Sequence, residues 1–195
     1  MSDELKGRRV AIIATDGVEE VELVRPREAV ESAGARVDLL SIADLSIQAM
    51  NSDIEPADTF TADKLVSDAS VDDYDGLILP GGTVNADKLR LDSGVISFVQ
   101  DYFKTGKPVG AICHAPWTLV EADLVRNRTL TSYPSLRTDI RNAGGTAVDE
   151  EVVTDEGLVT SRNPDDLPAF CAKIVEEFAE GAHDVAEAGA TRGAA

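Results

Sequence analysis

PVGAICHAPWTLVEA, residues 108–122, turns from an apolar strand into a helix within three residues. Residues 108–113 (PVGAIC) are apolar without alternation, as in a strand covered on both faces. Pro116 suits a first helical turn, and a helix runs over 116–122. Cys113 therefore sits on the junction. Outward in both directions the pattern repeats. Residues 10–14 (VAIIA) and 76–80 (GLILP) are strands of the same buried kind, and 36–42 (RVDLLSI) reads as another.

Helical spacing fills the gaps. Val21, Val24, Ala29, Val30 and Ala33 mark a helix with Pro26 early in it and Gly34 as its stop. Residues 94–105 have helical period and end at Gly106. A short strand at 129–132 precedes a helix over 134–142, closed by Gly144 and Gly145. Residues 152–161 read as two short strands around Asp155-Glu156-Gly157. A last helix over 165–180 places Leu167, Phe170, Ile174 and Phe178 on one face. Residues 43–74 are a mixed stretch of short strands and loops with no assignable order. Strands alternating with helices predict an α/β fold, a mainly parallel sheet with helices on both faces. One domain is expected over 8–180, with flexible ends at 1–7 and 181–195.

Ligands of such sheets bind beyond the carboxyl ends of the strands. Three strand ends carry unusual residues there: 16–20, Pro80-Gly81-Gly82-Thr83, and Cys113-His114. A thiol at a helix N-terminus is expected to favour its thiolate. The strand–turn–helix setting is a nucleophile elbow, with the next backbone N–H turned toward a developing oxyanion. The alternative, a small buried hydrophobe, is the usual fate of a free cysteine. His114 adjoins the thiol in sequence but need not face it. Glu19-Glu20-Val21-Glu22 opens a helix, and the residues alone do not choose which acid would stand beside the thiol. Gly82 offers a second oxyanion N–H. Tyr133 is a candidate pocket residue, and Trp117 is core or pocket wall. Cys171 falls on the buried face of the last helix and reads as structural. The only other histidine, His183, lies in the tail, which argues against an amidotransferase triad.

Thirty-six acidic residues against 18 basic ones give a net charge of -18. That argues against nucleic acid and anionic membranes as partners, since both need Lys and Arg. It reads either as an ordinary acidic surface or as that of a salt-loving host, and lysine is sparse. With no apolar run near the ~20 residues that span a bilayer, and a polar MSDELKGRR start, a cytoplasmic location is expected. Two cysteines make no disulfide framework. No phosphate-binding glycine motif is present, and neither a metal nor a cofactor is expected.

Several ordered motifs resemble one family. Ala111-Ile112-Cys113-His114-Ala115-Pro116 is similar to the A-I-C-H-G-P signature of ThiJ/PfpI proteins. These include Pfp-type intracellular proteases, bacterial general stress proteins and, more distantly, the Parkinson-associated protein deglycase. Residues 18–23 (VEEVEL), 79–82 (LPGG), 131–134 (TSYP) and 161–167 (SRNPDDL) match further family segments. The resemblance implies a flavodoxin-like, glutamine-amidotransferase-like sandwich, Cys113 as nucleophile, and Glu19 as the acid contacting it. It implies that His114 pairs with Cys113 and with an acid from a neighbouring subunit of a dimer or hexamer. Asp87 lies near the region that would supply that acid. Ala115 departs from the family glycine. The activity implied is attack on small carbonyls or glycated proteins, of deglycase or glyoxalase type. The alternatives are PfpI-type peptide hydrolysis, or a non-catalytic redox sensor or holding chaperone.

Overall fold

The computed structural model describes residues 3–183. In chain order, β1 (Arg9–Ile13) leads to α1 (Glu20–Ser32) and β2 (Arg36–Ser41). A hairpin follows, β3 (Ser46–Asn51) and β4 (Glu55–Thr61), then the two-residue β5 (Lys64–Leu65). After two single 3-10 turns come β6 (Gly76–Leu79), α2 (Thr83–Leu91), α3 (Ser93–Lys104), β7 (Val109–Ile112) and α4 (Pro116–Glu121). The chain continues through β8 (Thr129–Leu130), α5 (Arg137–Asn142), β9 (Thr146–Ala147), β10 (Val152–Asp155), β11 (Leu158–Ser161) and α6 (Leu167–Glu180).

Seven strands form the main sheet in the order β10-β11-β7-β6-β1-β2-β5. All neighbours are parallel except β10 and β11, which pair antiparallel. Successive side chains of a strand face opposite sides, and β1 shows the result. Val10 and Ile12 pack with Leu23, Val30, Phe170 and Ile174 of α1 and α6. Ala11 and Ile13 pack with Leu89, Val99, Tyr102 and Leu119 of α2, α3 and α4. This is the flavodoxin-like α/β sandwich that the motif resemblance implies. Among the described residues, no helix is long and apolar enough to cross a membrane.

Five sequence assignments change. Residues 83–91, left unassigned in sequence, form α2. The helix expected over 134–142 begins as a 3-10 turn at Pro134–Leu136, and the strand at 129–132 shortens to β8. Pro26 falls in the second turn of α1, not the first, so the Glu22 carbonyl loses its usual i+4 donor. Leu5, placed by sequence in a flexible end, is fully buried, and its N–H donates to Ala33 O at 2.8 Å. A lone apolar residue among polar ones has no period to reveal it. Residues 184–195 of the expected tail lie outside the described residues.

The β3–β4 hairpin does not join the main sheet. It lies against the loop between β1 and α1, where Met50 N–H donates to Val18 O at 2.8 Å and Gly17 N–H to Gln48 O at 2.9 Å. This docking brings the hairpin turn to the carboxyl edge of the sheet.

Candidate active site

Because β7, β6 and β1 are neighbours, the three unusual strand ends meet at one edge. Cys113 directly follows β7 and has φ +62°, a left-handed conformation that costs an L-residue roughly 1–2 kcal/mol. Both sides of its backbone are tied: its N–H donates to Ser161 O at 3.1 Å, and its carbonyl accepts from Tyr133 N–H at 2.9 Å. Such over-determination is what sustains local strain at functional sites. The turn also swings the next side chain back, so His114 Nδ1 lies 3.1 Å from Cys113 Sγ. Sequence adjacency alone does not guarantee that contact. Both residues are 6% exposed, so the thiol is recessed rather than standing open at the sheet edge.

The acid beside the thiol is Glu22, not Glu19. Glu19 is the N-cap of α1, and its carboxylate turns away to accept from Ser52 N–H (3.1 Å) and Asp53 N–H (3.4 Å) of the hairpin turn. Glu22 lies on the inward stripe of α1 with Leu23, Pro26 and Val30 and is fully buried. Its Oε2 accepts from Gly81 N–H at 2.9 Å, while Oε1 has no nitrogen or oxygen partner. The group it faces is the Cys113 side chain. A Cβ on Gly81 would overlap both Glu22 Oε2 and Cys113 Cβ, so glycine there keeps the space between acid and thiol. The signal for Glu22 was present in sequence: positions 22, 26 and 30 recur every four residues, and an acid on that stripe is buried.

Burial pushes the Glu22 carboxyl up to about 8, against the opposing pull of its hydrogen bond to Cys113. Near neutral pH it therefore holds its proton. Burial also pushes the Cys113 thiol up, and the nearby Glu22 charge adds to the rise. The depressed thiol expected from a helix N-terminus is thus not what the fold builds. Two residues separate Cys113 from α4, which is only six residues long. A protonated Glu22 removes the repulsion and becomes a donor, but the thiol still needs a base. Burial lowers the His114 pKa, so the ring stays neutral at pH 7 with a lone pair to offer.

Backbone N–H groups of Gly82 and His114 favour the charged sulfur, which puts both expected oxyanion donors at the reacting atom. Gly82 has φ +89°, and a Cβ there would strike Gly17 O and Glu19 N. Asn85, not singled out in sequence, holds this loop: its amide donates to Pro80 O and Gly81 O, and its Oδ1 accepts from Thr15 N–H at 2.8 Å. Tyr133, 39% exposed, stacks on the His114 ring with centroids 4.4 Å apart. Trp117 closes the other side at 5.5 Å, its indole N–H bonded to Asp139.

A family model described as DJ-1/PfpI matches residues 8–177. The chain belongs to the DJ-1/PfpI family. Among DJ-1/PfpI relatives, Escherichia coli (strain K12) "Protein/nucleic acid deglycase 2" is 38% identical over 164 residues, 84% of this chain and 93% of that one. Bacillus subtilis (strain 168) "Putative cysteine protease YraA" is 37% identical over 164 residues, 84% and 94% of the two chains. The crystal structure of Drosophila melanogaster DJ-1beta superposes with a TM-score of 0.80 at 28% identity, covering 92% of this chain and 91% of that one.

Ala115, which stands where the motif resemblance implies glycine, is buried in the core with residues of α2–α5. Cys171 is half-buried on α6, its thiol pushed up to about 11 by burial. His183 is 3.1 Å from Glu177 and beside Gly157. That is the end of β11 opposite Ser161, so it belongs to another part of the molecule. Asp87 is exposed on α2.

Proposed function

We propose that the protein is a cysteine-dependent enzyme that repairs reactive carbonyl damage, acting on methylglyoxal-type aldehydes and their adducts on proteins. One observation carries this reading: a fully buried acid (Glu22), its carboxyl pushed up to about 8 by burial, and an imidazole nitrogen of His114 converge on one recessed thiol. As Sγ attacks an aldehyde carbon, His114 Nδ1 takes the thiol proton and a C–S bond forms. The oxygen gains charge opposite the Gly82 and His114 N–H groups, and Glu22 is placed to protonate it. Moving the aldehyde hydrogen to the adjacent ketone carbon turns the hemithioacetal into a thioester. Water then releases a hydroxy acid, lactate from methylglyoxal. Aldehyde oxidation balances ketone reduction, so no external oxidant is consumed.

At 6% exposure, Cys113 admits a small aldehyde more readily than a polypeptide backbone, which favours repair over the protease activity in one relative's name. Of the substrates in the deglycase relative's name, protein adducts suit a surface of charge -18 better than nucleic acid does. The site residues named above lie in one chain, and assembly of that chain into a dimer or hexamer is part of the proposal.

Incubation with a methylglyoxal-modified peptide separates the alternatives by product. Repair yields lactate and the intact peptide. Fragments would identify a peptidase, and oxidised Cys113 with untouched peptide a sensor.

A further inference from the structure

The hairpin turn of β3 and β4 has an unusual backbone: Ser52 and Asp53 adopt φ +53° and +64°, without glycine at either position. Both N–H groups of that turn are held by the Glu19 carboxylate. The effect is to aim Asp53 at the start of α2. Its Oδ1 accepts the Thr83 N–H at 2.7 Å, and its Oδ2 accepts the Thr83 hydroxyl at 2.7 Å. Thr83 is the first residue of α2, and its N–H, one of the donors a helix start leaves without an intrahelical partner, is met by this acid from another element.

The second bond has a consequence for His114. Thr83 Oγ1 lies 3.4 Å from His114 Nε2. A hydroxyl has one proton, and Asp53 takes it. Only lone pairs face the ring, so the contact is satisfied when Nε2 carries the hydrogen. A neutral imidazole with hydrogen on Nε2 has its lone pair on Nδ1, the nitrogen 3.1 Å from Cys113 Sγ. Ser135 Oγ, also 3.4 Å from Nε2, is solvent-exposed and can donate or accept, so it does not select a tautomer. The stacked Tyr133 and tilted Trp117 rings fix the plane of the imidazole. The carboxyl groups around the site are Glu22 beyond the thiol, Glu19 beneath the hairpin turn, and Asp53.

We propose that Asp53, acting through Thr83, is a positioning residue that fixes His114 with its proton on Nε2 and its lone pair toward Cys113. The acid partner of the histidine then comes from this chain's own hairpin rather than from a neighbouring subunit. This deepens the reading of Cys113 as nucleophile and rests on it for its kinetic consequence, although the tautomer is a property of the resting protein.

The test reads the imidazole directly. Nitrogen-15 NMR of the full-length protein, with His183→Gln used to assign the second histidine, should show His114 as the Nε2–H tautomer. Asp53→Asn reverses the chain of donors: the new amide donates to Thr83 Oγ1, whose proton turns to Nε2, and the ring should shift toward Nδ1–H. Thr83→Val should give a mixture, and Thr83→Ser should restore the wild-type signal. Lactate formation should fall about tenfold or more in Asp53→Asn and Thr83→Val and recover in Thr83→Ser, a fraction of what loss of a general base removes. An unchanged Nε2–H signal in both Asp53→Asn and Thr83→Val would overturn the proposal. So would a tautomer that responds to Asp87→Asn alone, which would return the acid to a neighbour. If the tautomer shifts as expected but the wild type makes no lactate, the carbonyl-repair reading fails and the relay stands.

Discussion

Replacing Glu22 by Gln isolates the cost of burying its carboxyl group. The group titrates at about 8 in the folded chain against a reference of 4.5. Between those values the folded state keeps a proton that the unfolded state has released. Stability therefore falls as pH rises, by up to ~1.4 kcal/mol per unit. From pH 5 to pH 7.5 the loss amounts to about 3 kcal/mol. Glutamine keeps an oxygen for the Gly81 N–H and has no proton to lose, so it escapes this dependence. The comparison is best made between Cys113→Ser and Cys113→Ser/Glu22→Gln, which removes the thiol from the proton count. Urea unfolding at the two pH values should show the Gln variant gaining about 3 kcal/mol relative to its parent as pH rises. A change below about 0.5 kcal/mol would mean that the carboxyl titrates near its ordinary value, and the argument for a protonated acid beside Cys113 would fall.

Three further outcomes follow from the same structure. Ala115→Gly, which restores the family residue, should cost about 1 kcal/mol in thermal melts through lost packing, with turnover nearly unchanged; a large change in turnover would show that the methyl group shapes the site. Iodoacetamide labelling of Cys113 at pH 7 should depend on His114, so that His114→Ala slows it and leaves Cys171 unchanged; an equal Cys113 rate in both proteins would remove His114 from its role as base. The 18 basic side chains neutralise only half the charge of the 36 acidic ones, so raising KCl from 0.1 to 1 M, which shortens the screening length from about 10 to 3 Å, should raise the melting temperature steeply. A flat curve would rule out the salt-adapted surface.

Much of this was legible in the sequence because buried parallel strands are written as continuous apolar runs, and three of them end in chemistry-bearing residues. The elbow at Cys113 and the glycines at 81 and 82 could be located from order alone. The choice among Glu19, Glu20 and Glu22 depends on where α1 begins: its first residue is Glu20, which leaves Glu19 outside the helix and turns Glu22 inward. The direction of the Cys113 shift was hidden for a related reason. A sequence shows a helix following the thiol, but not the depth at which the turn buries it. Asp53 could not be picked out, since the turn of a hairpin that docks outside the main sheet carries no signal of where it docks, and Thr83 was legible only as the end of the Pro80–Thr83 segment, not as the start of α2.

The central claim is that Cys113 is the nucleophile of a carbonyl-repair reaction, and the most direct measurement is lactate release from a methylglyoxal-modified peptide at pH 7. Wild-type protein should release lactate steadily, and Cys113→Ser should lower the rate at least about a hundredfold while melting at a similar temperature. A folded Cys113→Ser protein that releases lactate as fast as wild type would contradict the account.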